Sequence, residues 1–217
     1  MTTLNRGAHV GPEDKGRSEP TEAADVEANA RLTASAGALL FVLLALEGIT
    51  ILRVHRLLTL HVFVGMLLIP PVLVKIGSTL HRFVRYYLGD AAYRRKGPPP
   101  ALMRLLGPFV VVLTAVVLAS GVALLLAPTS LRQSLLFAHK ASFLLWFGAT
   151  AIHVLGHAVE TTTIAPRDWV RRTRRDVRGA NARQWLLVAS LAVGVALGVL
   201  TIGHVGSWAN STVLIGR

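Results

Sequence analysis

Hydrophobic and polar positions along the chain separate into five long apolar runs divided by short polar connections. The runs cover residues 34–52, 57–80, 105–127, 134–159 and 184–204, and only Lys75 interrupts the second of them with a cation. At 1.5 Å per residue each is long enough to cross a hydrocarbon core about 30 Å thick. A soluble domain of this length would not normally carry so many apolar runs of spanning length. The pattern predicts an all-α, polytopic membrane helical bundle of five transmembrane helices.

The polar remainder sets the expected organisation. Residues 1–31 hold six acids beside Arg6, Lys15, Arg17 and Arg31, with scattered Gly and Pro and no apolar stretch. That composition predicts a disordered cytoplasmic tail rather than a cleavable leader. Residues 32–206 are expected to form the bundle, and 207–217 a short external tail. Of the connections, 81–104 carries Arg82, Arg85, Arg94, Arg95, Lys96 and Arg104, and 167–183 carries seven arginines. Counting positive charge places both of these loops and the N-terminus in the cytoplasm, with the C-terminus outside the cell membrane. The formal net charge of +12 therefore reflects topology, and nucleic acid is not an expected partner. Membrane lipid is. Tyr86, Tyr87, Tyr93, Trp169 and Trp185 suit an inner interfacial belt, and Trp208 an outer one. Pro98 to Pro100 form a stiff link before the third span.

Cysteine is absent and histidine occurs eight times. Iron–sulfur clusters, disulfides and thiolate metal sites are excluded, so any metal must be held by nitrogen or oxygen. No phosphate loop, dinucleotide fingerprint or serine triad is present. Ionisable residues at membrane depth are costly and usually functional, which singles out His61, Lys75, His139, His153 and His157. His61 and His139 lie about equally far into the second and fourth spans, which run in the same direction. Their imidazoles are expected to approach one flat cofactor from opposite sides, as the axial ligands of a b-type haem.

A second level is suggested below the first. His153 lies fourteen residues beyond His139, about 21 Å along the axis and only about 40° away around it. His157 lies about 27 Å down, in nearly the same direction as His139. Both compete to ligate a second haem iron, His153 by its spacing. Opposite them stand Lys75 and His81. His81 points about 160° away from His61, and only a disturbance at Pro70–Pro71 would re-aim it. Lys75 could ligate iron, pair with a haem propionate, or snorkel inward. His55 and His204 read as interfacial. Glu47 reads as facing water near the outer boundary, with a proton-relay role or a cation partner as the alternatives.

The stretch "LHVFVG" in the second span, followed by "HK" and "HVLGH" in the fourth, resembles the transmembrane b-type cytochromes. The nearest are the cytochrome b subunits of hydrogenases, formate dehydrogenases and molybdenum oxidoreductases. The resemblance covers roughly residues 34–160. It implies a helical bundle holding one or two haems, a separate redox partner protein, and a quinone as a candidate second substrate. Lys75 departs from the pattern, standing where a second-level ligand is expected. The competing expectation is a non-redox membrane protein, a transporter subunit or assembly factor, whose histidines line a proton or metal path.

Overall fold

The computed structural model describes residues 12–97 and 101–206, with side chains of the first helix described from Glu22 onward. Its elements are α1 (Pro12–Leu52), α2 (Val54–Tyr87), α3 (Ala91–Lys96), α4 (Ala101–Leu126), α5 (Thr129–Ile164), a 3₁₀ turn (Ala165–Asp168), α6 (Arg171–Arg174) and α7 (Ala180–Ile202). No strand occurs among the described residues. Helices α1, α2, α4, α5 and α7 are each long and apolar enough to cross a membrane, as the hydrophobic pattern predicts. The chain is a multi-pass helical membrane protein.

Its surface reverses the polarity of a soluble fold. Leu52, Leu105 and Val159 are 84%, 78% and 78% exposed, while Arg31, Thr50, Ser78, Ser142, Asp168, Arg183 and Ser190 are buried. Lipid is as apolar as leucine, so helices gain by close backbone approach and interhelical hydrogen bonds rather than by hiding apolar area.

Two packed groups make up the bundle. In the first, α2 lies between α1 and α7. The α2–α7 contact is built on Ser190, Gly194 and Gly198, which repeat every four residues and are all buried. A Cβ on Gly194 would lie 2.6 Å from the Leu67 carbonyl oxygen, and one on Gly198 would lie 2.6 Å from the Phe63 ring. On the other side of α2, Leu43 packs with Val64 and Leu68. The second group pairs α4 with α5, aligned by a 2.8 Å hydrogen bond from Trp146 Nε1 to Thr114 Oγ1. Contacts between α1 and α5 join the groups. Between α2 and α4 an open apolar cavity of about 500 Å³ is lined by Ile69, Val72, Ile76, Ala115 and Ala119 among others.

Several expectations are corrected. Helix α1 begins at Pro12, so residues 12–31 carry helical backbone. Near the end of that stretch Arg31 is 3% exposed and paired with Asp168 from the far side of the chain. Residues 1–11, and the external tail expected at 207–217 with Trp208, lie outside the described residues. Helix α2 keeps helical backbone angles through Pro70 and Pro71; its one departure is at Leu57. The prolines remove N–H donors, yet the backbone stays helical through them, and Pro71 itself is fully buried. Tyr93 does not join an interfacial belt. It is 4% exposed, packed with Val26 and Ala92, and burial pushes its phenol above the usual range. Its position follows from a turn at Gly89, where φ is +94°, and from Asp90. The Asp90 carboxylate caps α3 by accepting from the backbone N–H of Ala92 and Tyr93.

Candidate functional site

Histidines from two helices meet at one end of the bundle. His61, about two turns into α2, and His139, about three turns into α5, have ring centroids 6.4 Å apart with their planes at 72°. Matched depth on parallel helices, read from the sequence, brings these two together in space.

The neighbours of each ring decide its tautomer. His61 Nδ1 lies 2.9 Å from Glu47 Oε1 and 3.1 Å from Thr50 Oγ1. The Thr50 hydroxyl donates to the Glu47 backbone carbonyl at 2.7 Å, and Thr50 is 1% exposed. A carboxylate only accepts, so the Nδ1 of His61 carries the proton. His139 Nδ1 lies 3.1 Å from the Val117 carbonyl and 3.0 Å from Ser120 Oγ, whose own hydroxyl donates to the same carbonyl. The Val117 oxygen again requires a proton on Nδ1. With Nδ1 so engaged, Nε2 is the nitrogen each ring has left for another partner, and neither Nε2 makes a hydrogen bond among the described residues.

This arrangement suits a metal held between the rings. Ligating histidines donate their second ring N–H to a carboxylate or backbone carbonyl, which orients the ring and raises its basicity. With metal–imidazole bonds of about 2 Å and about 1 Å from nitrogen to ring centre, two rings on opposite sides of one ion have centroids about 6 Å apart. An edge contact between aromatic rings spans the same distance, so separation alone does not distinguish the two. What a metal site would use is the nitrogen left over: Nδ1 of each ring is anchored, and Nε2 has no hydrogen bond among the described residues. Histidines with Nδ1 supported in this way are of the donor type that would hold haem iron. Gly121 contributes space: a Cβ there would stand 3.2 Å from His139 Cε1.

At the other level the histidines come from one helix. His153 and His157 of α5 have ring centroids 4.8 Å apart, and His157 Nδ1 lies 3.4 Å from Glu160 Oε2. His153 Nδ1 is buried and has no hydrogen-bond partner, as is Thr150 Oγ1 one turn earlier. Lys75 does not reach for water. Its Nζ donates to the Thr33 carbonyl of α1 at 2.8 Å and lies against Gly37. His81 is exposed and stands edge-on to Tyr93, with centroids 6.0 Å apart. Because α2 is not re-aimed at its prolines, His81 is not brought to His153. No group of three or more His, Asp or Glu that could hold a bare metal ion occurs among the described residues.

Sequence reasoning left Glu47 facing water and did not single out Thr50 or Ser120. It also missed a buried ionic centre at the Arg-rich end. There Asp168, 2% exposed, accepts from Arg31 Nη1 at 3.3 Å and from Arg183 Nη2 at 2.7 Å. Gln184 donates to its backbone carbonyl, and Glu27 bridges Arg31 and Arg167. The available signal was an acid at the head of an arginine run that holds only one other, Asp176.

Comparison with protein-family models, with curated proteins and with solved structures returns no match. The class that fold and site define is that of a multi-pass helical membrane protein with a paired-histidine site between two spanning helices.

Proposed function

We propose that this chain is a membrane electron-transfer protein that works through b-type haem, held between α2 and α5 with His61 and His139 as axial ligands. One observation carries the reading: two imidazoles from separate helices face each other with Nδ1 anchored and Nε2 free. Haem bound there would supply a one-electron iron couple. The chain's own residues hold and orient the rings: Glu47 and Thr50 fix His61, while Val117 and Ser120 fix His139. The apolar helices around the rings lower the local dielectric, which sharpens the electrostatic influence of groups near them.

The sequence carries no flavin or nicotinamide motif, so a separate redox partner protein exchanges electrons with the site, and a quinone is a candidate second substrate. The arginine-rich loops and the N-terminus lie in the cytoplasm of a cell-membrane protein, by the charge distribution. His153, with its buried and unpartnered Nδ1, is the candidate ligand of a second haem, with Lys75 on the facing helix.

The test is a reduced-minus-oxidised visible spectrum of protein purified after expression with ample haem, with haem quantified per chain. Soret and α bands are expected, and His61→Ala and His139→Ala should each abolish or strongly shift them. Their absence from the wild-type protein sinks the proposal. A second reading is favoured by the Glu47–His61 hydrogen bond, since a carboxylate–imidazole pair can pass protons. In that reading the protein binds no haem, and the histidines line a proton path.

A further inference from the structure

Glu47 is a carboxylate in a membrane-spanning helix, 12% exposed at its side chain. Taking a carboxylate out of water is costly unless a specific partner compensates. No lysine or arginine pairs with it among the described residues; its side-chain contacts are His61 Nδ1 at 2.9 Å and Thr50 Oγ1 at 3.0 Å. The opposite ring has only neutral acceptors, the Val117 carbonyl and the Ser120 hydroxyl. The two sides of the site therefore differ by one formal charge, and that charge sits on the His61 side.

We infer that Glu47 is a positioning residue that lowers the reduction potential of the site, acting on haem iron through His61. The inference rests on the haem reading above. Two effects act in the same direction. Accepting the Nδ1 proton in a strong hydrogen bond pushes electron density to Nε2, making His61 a better donor to the more highly charged oxidised iron. The buried negative charge also favours the oxidised site over the reduced one, and the apolar bundle screens it little. The Thr50 hydroxyl lies within hydrogen-bond distance of the carboxylate, 3.0 Å from Oε2, and Gly65 of α2 packs beside it, where a Cβ would meet Glu47 Oε1 at 3.6 Å, an ordinary contact.

The experiment is a spectroelectrochemical titration of purified, haem-loaded wild type, Glu47→Gln, Glu47→Asp and Ser120→Ala. Glu47→Gln keeps an acceptor for the Nδ1 proton while removing the charge. It should retain haem and the low-spin bis-imidazole spectrum, with its midpoint potential moved positive. Glu47→Asp keeps the charge but withdraws it by one methylene, so a smaller positive shift is expected. Ser120→Ala should shift the potential least, because it removes no charge. A full haem complement in Glu47→Gln with an unmoved midpoint overturns the inference and leaves the haem reading standing. If Glu47→Gln fails to accumulate, a wild-type midpoint in Glu47→Asp overturns it equally. A wild-type protein that binds no haem overturns both.

Discussion

At the scale of single residues the site depends on an absence of side chain as much as on its imidazoles. Gly121 packs where a Cβ would stand 3.2 Å from His139 Cε1. Gly121→Leu should therefore displace the ring and lower haem per chain at least several-fold, as measured by pyridine haemochrome. Gly65→Ala, whose Cβ meets only an ordinary contact, should leave haem content unchanged. His61 and His139 were legible in the sequence because an ionisable ring in an apolar run has few explanations, and equal depth on parallel helices is a matter of counting. Glu47, Thr50 and Ser120 were not. Hydroxyls within spanning helices commonly bond to their own backbone, and the rotation of α1 against α2 that aims Glu47 at His61 is set by packing.

Among the elements, α7 illustrates how small residues specify a membrane contact. The Ser190, Gly194 and Gly198 repeat could have faced lipid or a partner molecule; packing turns it onto α2, bringing Gly194 against the Leu67 backbone. Leucine at Gly194 or Gly198 must separate the helices, at a cost of about 1–3 kcal/mol or more. The expected readout is a lower unfolding temperature in detergent, whereas leucine at the neighbouring, exposed Val195 should leave it unchanged. Helix α2 shows the reverse case, in which local sequence suggested more than occurred. Two consecutive prolines predict a disturbance, yet the helix continues, and with it His81 stays beside Tyr93 and away from His153.

Across the whole molecule, Asp168 gathers α1, the loop after α5, and α7 into one end of the bundle. Asp168→Asn would leave the buried Arg183 without its counter-ion and Arg31 with Glu27 and the more distant Asp176. Breaking a buried ion pair from one side costs about 3–5 kcal/mol, so the variant should unfold at a markedly lower temperature in detergent. The same end carries the arginine loops, and its side of the membrane can be tested cleanly because the chain contains no cysteine. A cysteine placed at Ser130 should react with an impermeant maleimide from outside intact cells. One at Arg172 should react only after permeabilisation; the opposite pattern would invert the proposed topology.

What the sequence determined by itself was the class of molecule. Five apolar runs of spanning length admit only helices, since every backbone N–H and C=O in lipid must be satisfied within its own segment. The register of histidines along two parallel runs then predicted the His61–His139 encounter. What tertiary structure alone decided was rotation and partnership. It turned Glu47 onto His61, and it buried Arg31 on Asp168. It also left His153 Nδ1 without a partner. Depth follows from counting residues at a fixed rise, whereas the face a side chain presents to other helices depends on how several helices interlock at once.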